Sequence, residues 1–408
     1  MSARAKGSAA GTPFVLLVVA TVLVALSLRP GASAVGPVLD EIRTGLGMGG
    51  GAAGALTGLP GLCFGVGGAL AVRLGRHAGI GGGIALGLLL AALGLLLRPL
   101  VGGAAVFLLL SAVALLGMAV GNVLVPAWVK THRAHEVRLM TVYGTSLIVG
   151  GSLGSLLTAP VAAEAGWRWA LCIWGLGAIV AVPLWGWLAR HEHRRSQDLD
   201  DVDEPPDAHI ARSPTALAMT LLFGLQSMHA YTQMGWLPQI YRDAGMSASS
   251  AGAMQALLGA VTIVGGLTMP AVINRGRGLA PMMIGLGGLL VLGYGGLLLA
   301  PTTLPWLWAA LLGFSGFAFP LVIALITART RSHTVTARLS GFVQPVGYLL
   351  AALGPVVVGV LHAATGGWDV VLWLLMATTI PFVVAGLRAV RPTYVDDELI
   401  TLSPGQAR

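Results

Sequence analysis

An all-α polytopic membrane protein, twelve transmembrane helices arranged as two six-helix bundles, is the fold class this sequence predicts. Three observations carry the prediction. Hydrophobic residues make up 56% of the 408-residue chain and charged residues only 10%, against about 45–50% and about 25% in soluble globular domains. So little charge cannot cover a water-facing surface. Apolar runs close to the roughly 20 residues that a bilayer crossing needs recur along the whole chain. The two halves also echo each other at an offset close to 200 residues. The 59 glycines suit helices that pack closely where lipid offers no hydrophobic drive to associate.

In chain order, the first half reads as spans 13–40, 51–72, 80–98, 103–128, 138–163 and 169–189. Arg4 and Lys6 precede the first run, and Ala32-Ser33-Ala34 has the small-residue spacing of a leader cleavage site. The run continues past Arg29 to Leu39, so an uncleaved first helix is expected. Prolines and glycines inside the runs do not exclude helix, because neighbouring helices re-satisfy the freed backbone groups. Residues 190–213 read as a cytoplasmic linker that begins basic (His191, His193, Arg194, Arg195) and turns acidic around Pro205-Pro206. That composition predicts a solvated tether, a stronger reading than metal binding by the two histidines. The second half reads as spans 214–239, 249–272, 279–300, 304–327, 338–362 and 369–388. The expected domains are an N-terminal bundle over 1–189, the linker 190–213, a C-terminal bundle over 214–390 and a cytoplasmic tail over 391–408.

Orientation follows from the 24 Lys and Arg. With a cytoplasmic N-terminus, only Arg43, Arg98, Arg168 and Arg242 fall outside and Arg29 falls within a span; all the others are inside. This satisfies the positive-inside rule and predicts an inner or plasma membrane protein with both termini cytoplasmic. The net charge of +8 does not indicate nucleic acid, since the basic residues sit in short clusters between apolar runs. ATP hydrolysis is excluded as well: a phosphate-binding loop ends in Gly-Lys, and neither Lys6 nor Lys130 follows a glycine. Cys63 and Cys172 lie in apolar runs and read as buried small hydrophobes rather than a disulfide or metal pair. No enzyme activity, cofactor or metal is expected.

The repeat shows in paired positions. Arg138-Leu139 matches Arg338-Leu339, Leu153-Gly154 matches Leu353-Gly354, and Gly166-Trp167 matches Gly367-Trp368 after a one-residue slip. Gly47-Met48 and Ala53-Gly54-Ala55 match Gly245-Met246 and Ala251-Gly252-Ala253. Two six-helix halves of the same orientation form a parallel repeat.

The run Gly68 to His77, G-A-L-A-V-R-L-G-R-H, resembles the signature between helices 2 and 3 of the major facilitator superfamily, with Val72 where an acidic residue is usual. The resemblance implies the major facilitator fold and a gating loop that includes Gly68, Arg73, Gly75 and Arg76. Leu28-Arg29-Pro30 with Val35-Gly36-Pro37 is similar to the cyanate permease/nitroimidazole porter family. So are Gly121-Asn122-Val123-Leu124 with Pro126, and Gly341-Phe342-Val343-Gln344 with Gly347-Tyr348, Gly354-Pro355, His362 and Gly366-Gly367-Trp368. The resemblance implies secondary active or facilitative transport of a small anion or polar solute by alternating access. An exporter of neutral or aromatic compounds such as nitroimidazoles, or a non-transporting sensor on the same fold, is the alternative.

Candidate solute-binding residues are the polar groups at membrane depth, where burial is costly and points to function. Arg29 lies 16 residues beyond Pro13, ~24 Å along a helix. Its guanidinium can offer two parallel hydrogen bonds to an anion. His229 sits at similar depth in span 7, and the repeat pairs it with Arg29, so both are expected to face one cavity. Gln226, His229, Gln233 and Trp236 share one helical face, and His229 could carry a coupling proton. Asn122, Tyr143, Gln344 and Tyr348 add neutral donors, whereas Phe314, Phe317 and Phe319 read as core. All sixteen carboxylates lie in loops, tails or span ends, which disfavours export of cationic drugs. The expected partners are a small-molecule or anion substrate, protons and membrane lipids, with the chain a monomer.

Overall fold

Helix is the one local structure that pairs every backbone N–H and C=O inside a single lipid-facing segment, and the apolar runs take it. A computed structural model describes residues 13–192, 210–275 and 278–401, and among them the secondary structure is entirely helical. The middle of the expected linker, with His193 and the acidic run, lies outside the described residues. So do Arg4, Lys6 and the end of the tail.

The first bundle comprises α1 (Phe14–Leu46, interrupted near Arg29), α2 (50–78), α3 (80–97), α4 (Ala104–Thr131), α5 (Glu136–Ala165) and α6 (Trp167–Glu192). The second comprises α7 (Pro214–Asp243), α8 (Ala248–Arg275), α9 (Leu279–Leu299), α10 (Pro305–Ala328), α11 (His333–Thr365) and α12 (Asp369–Ala389). Among the described residues, ten stretches are individually long and apolar enough to cross a membrane. The other two crossings are α2, diluted by glycine, and α7, diluted by Gln226, His229, Gln233 and Gln239.

The internal repeat is physical. Gly47 and Gly245, with φ of 61° and 96°, end α1 and α7 in left-handed caps. In each, the following methionine N–H reaches back to a carbonyl five residues earlier, Met48 to Arg43 at 2.9 Å and Met246 to Tyr241 at 3.0 Å. Gly154 of α5 meets Pro30 and Ser33 of α1, and Gly354 of α11 meets Met228 and Thr232 of α7. The same glycine thus lets the same pair of helices cross in each half.

Between the bundles, α2 runs along α11 and α5 along α8. Contact is confined to one half of their length. A Cβ at Gly54 would lie 2.8 Å from the Pro355 carbonyl oxygen, one at Gly58 2.6 Å from that of Ala352, and one at Gly252 2.6 Å from that of Ser155. Towards the other end nothing lies within 4 Å of such a position at Gly68, Gly144 or Gly341. The closed end is bolted by Arg242 of α7, whose Nη1 and Nη2 donate to the two carboxylate oxygens of Glu41 at 2.7 and 2.8 Å.

Three sequence expectations change. Arg98, read as an outside loop residue, is fully buried at the α3–α4 turn. The segment Gly68–Arg76 forms no loop: helix Gly50–Leu97 is continuous except for a kink at Gly79, where φ is 73°. Cys63 is buried, but Cys172 is only half-buried.

A short helix α13 (Val395–Thr401) fastens the open end of the second bundle. Its Asp396 accepts from the backbone N–H of Arg331 and Ser332 at 2.9 and 3.2 Å. Glu398 accepts from Ser213 Oγ, from Thr215 N–H at 3.0 Å and Oγ1 at 2.8 Å, and from Arg388. Partial burial pushes the Glu398 carboxyl up, but these donors outweigh it and hold it below its ordinary value.

Candidate functional site

Pro30 fixes where α1 breaks. It has no N–H to bond one turn back, so regular helix stops at Ser27 and resumes at Pro30 with Arg29 as the junction residue, φ −120° and ψ −37°. The junction turns the Arg29 side chain towards the second bundle, where it is half-buried. Its guanidinium carbon stands 5.9 Å from the Phe64 ring centroid on α2. No hydrogen bond or ion pair links the Arg29 guanidinium to another described residue.

Around it lies an aromatic and amide wall. Tyr348 of α11 packs against Phe64 at 6.0 Å, Tyr231 at 6.2 Å and Phe223 at 4.9 Å between ring centroids. Tyr143 of α5 donates from its hydroxyl to Asn122 Oδ1 at 3.0 Å. The buried Asn122 Nδ2 has no partner. Tyr143, Tyr231 and Tyr348 all sit close enough to feel the Arg29 charge. The structure therefore gathers Arg29, Asn122, Tyr143 and Tyr348 of the sequence candidates. It adds Phe64, which has no polar atom to signal it, and Tyr231, whose hydroxyl was as visible in the sequence as those of Tyr143 and Tyr348 but lies off the polar face read for its helix. Gln344, one turn before Tyr348, is half-buried, and its Nε2 donates to Ser340 Oγ at 2.7 Å.

His229 is not part of this cluster. It is fully buried inside the second bundle, with Nδ1 2.9 Å from the Tyr294 hydroxyl on α9 and Nε2 3.3 Å from Thr378 Oγ1 on α12. Gln233 donates to the same Tyr294 hydroxyl at 3.0 Å. Trp236 is sealed as well, donating to the Pro355 carbonyl at 3.2 Å and packing on Trp368 at the closed end. Gln226 is buried with its Oε1 unpartnered. The expectation that Arg29 and His229 face one cavity is overturned: residues two apart on a helix point to opposite faces, and it is Tyr231 that looks across to Arg29.

Of the signature residues, Arg73 and Arg76 are exposed and Gly75 is buried against Leu124. Val72 is exposed too, at 49%. Among the described residues, no three His, Cys, Asp or Glu side chains gather as a metal site would require.

An arginine without a hydrogen-bond or ion-pair partner among the described residues, in a cleft open at one end and lined by ring faces and the Asn122 amide, can hold a small anion by charge and hydrogen bonds while the rings exclude water. Residues 17–355 match the family described as the Major Facilitator Superfamily. An uncharacterized transporter of Bacillus subtilis, YycB, is 33% identical over 93% of this chain and 94% of its own. The 2-nitroimidazole transporter of Escherichia coli is 31% identical over 94% of this chain and 98% of its own. The cyanate transport protein CynX of Escherichia coli is 31% identical over 85% and 90%. The crystal structure of a D-xylose-proton symporter superposes with a TM-score of 0.74 at 12% identity, covering 95% of this chain and 99% of that one.

Proposed function

This chain belongs to the Major Facilitator Superfamily, a transporter of small solutes and not an enzyme, and we propose that its solute is a small anion of the cyanate kind, bound at Arg29. One observation carries the proposal: among the described residues the Arg29 guanidinium has no hydrogen-bond or ion-pair partner in the cleft between the bundles, where it faces Phe64 and the Tyr231–Tyr348 pair. A charge at membrane depth needs a counter-charge, water or backbone. Here a solute can supply it.

The membrane is the inner or plasma membrane, with both termini cytoplasmic, because the basic residues concentrate on that side. The closed end with Glu41–Arg242 is then the outer gate, and the cleft opens inwards. Solute enters from outside when that gate parts, neutralises Arg29, and leaves when the bundles rock to the arrangement seen here. The monomer contains the whole path. Movement is facilitative: His229, which by sequence could carry a coupling proton, is sealed between α9 and α12 with both ring nitrogens engaged.

The test is uptake into proteoliposomes loaded with the full chain, using cyanate, nitrate, a small carboxylate and neutral 2-nitroimidazole, with and without an imposed pH gradient. Saturable anion uptake is expected. Transport of the nitroimidazole alone would replace this reading by the aromatic-solute one.

A further inference from the structure

Arg98 is a second cation that neither the fold nor the proposed transport step uses. Every atom of it is shielded, with 0% of its surface exposed. Nη2 donates to the Gly31 carbonyl at 3.1 Å, Nη1 makes only a long 3.5 Å contact to Ser111 Oγ, and Nε has no partner. The face of Phe107 lies 5.8 Å from the guanidinium carbon. No ion pair joins Arg98 to a carboxylate among the described residues. A buried charge lacking its opposite is strongly disfavoured, and one carbonyl does not neutralise it.

Beside the guanidinium is a small cavity, lined among others by Gly31, Thr57, Pro60, Ser111, Met234 and Gly235, with room for about one water-sized occupant. Thr57 spends its hydroxyl proton on the Ala53 and Gly54 carbonyls. Ser111 is fully buried, and its Oγ meets Arg98 as an acceptor, which leaves its own proton to point elsewhere. The cavity thus meets a full positive charge, an unused guanidinium N–H and a free hydroxyl proton. Its size admits a single small ion and no organic solute.

We propose that Arg98 is the centre of a second anion site, which holds one resident monovalent anion of halide size. The site lies between α1, α2, α4 and α7, so it is walled by both bundles. Met234 and Gly235 come from the second bundle and close it only while the outer gate is shut. The resident anion therefore stabilises the outer-closed arrangement, and the site opens when that gate parts. This inference is independent of the solute assigned to Arg29.

The experiment is thermal unfolding of the purified full chain in detergent, with sodium gluconate replaced stepwise by sodium chloride or bromide at constant ionic strength. A ligand that binds only the folded state raises the midpoint with its concentration. We expect a saturable rise of a few degrees for the unaltered protein and for Arg29→Ala, and none when Arg98→Met is added to Arg29→Ala, which removes the other anion-binding arginine. Ser111→Ala, which leaves the arginine in place, is expected to shift the half-saturating halide concentration upward several-fold. A flat titration of the unaltered protein overturns the site. So does a halide response that survives in the Arg29→Ala, Arg98→Met double variant, or one that disappears in Arg29→Ala, since the anion would then reside elsewhere.

Discussion

Arg29 occupies its place because of the residue that follows it. Pro30 breaks α1 at membrane depth, and the break turns a guanidinium into the cleft instead of along the helix. Sequence revealed this residue because an ionisable group inside an apolar run stands out; Asn122 stood out as a polar amide in such a run, and Tyr143 and Tyr348 as hydroxyl donors. Phe64 did not, since a ring without a polar atom is indistinguishable from core until its neighbours are known, and Tyr231 did not because the polar stripe of its helix reads on the opposite face, through Gln226, His229 and Gln233. His229 misled because pairing by repeat fixes depth but not helical face. Two predictions belong at this scale. Arg29→Ala removes charge-assisted hydrogen bonds worth about 1.5–3 kcal/mol, so solute affinity falls about 10- to 100-fold; Arg29→Lys, keeping the charge but not the planar fork, retains part of it. His229→Gln leaves the pH profile of transport unchanged and lowers the thermal midpoint instead, because it breaks buried hydrogen bonds at about 1–3 kcal/mol. Paired melting curves and uptake at several pH values check this, and a flattened pH profile would restore the histidine to the transport cycle.

Elements were read more reliably than side chains. Each expected span lies on a helix, with ends that differ by up to six residues, because about 20 apolar residues and the need to pair every backbone group leave no other solution. The turn between α2 and α3 was the exception. A short basic, glycine-bearing stretch reads as a loop, yet the chain stays helical to a single left-handed residue, Gly79. Nor did glycine abundance say which crossings matter. The structure does: Gly54 and Gly58 let α2 touch the backbone of α11 at the closed end, whereas Gly68 faces open space. Gly58→Val must displace the Ala352 carbonyl and so wedge the outer gate. In a chain carrying Cys63→Ala, Cys172→Ala and Thr57→Cys, adding Gly58→Val is expected to speed labelling from outside by an impermeant thiol reagent at least several-fold. Adding Gly68→Val is expected to leave that rate unchanged.

For the whole molecule, the question is whether the contacts that hold the closed end are weak enough to be broken in each cycle. The Glu41–Arg242 pair is bidentate, but its side chains remain 34% and 19% exposed. An ion pair with that much water contact contributes roughly 1 kcal/mol or less, a latch that thermal motion can open. Arg242→Ala is therefore expected to shift the population towards the outer-open form without unfolding the protein, read as a longer distance between spin labels on α1 and α7. The open end is held differently. Hydrogen bonds from Ser213, Thr215 and Arg388 keep the Glu398 carboxyl below its ordinary value despite partial burial. A depressed folded-state value means that this stabilisation is present above the unfolded carboxylate range and is lost as pH falls through the folded value. The melting temperature should drop in acid below about pH 4, and Glu398→Gln should lose that part of the acid dependence. The two-bundle plan was readable from the offset of about 200 residues, since matched caps such as Gly47 and Gly245 recur at matched ends. Which end is closed was not, because it depends on contacts between halves that share no local signal.

The most direct test of the account is equilibrium binding of labelled cyanate to the purified full chain, compared with its Arg29→Ala and Arg29→Lys forms, each first shown to melt as the unaltered protein does. The predicted result is saturable binding to the unaltered chain, weaker binding to the lysine form and binding about 10- to 100-fold weaker to the alanine form. Equal binding by the alanine form would contradict the account, because the anion would then be held by something other than the guanidinium in the cleft.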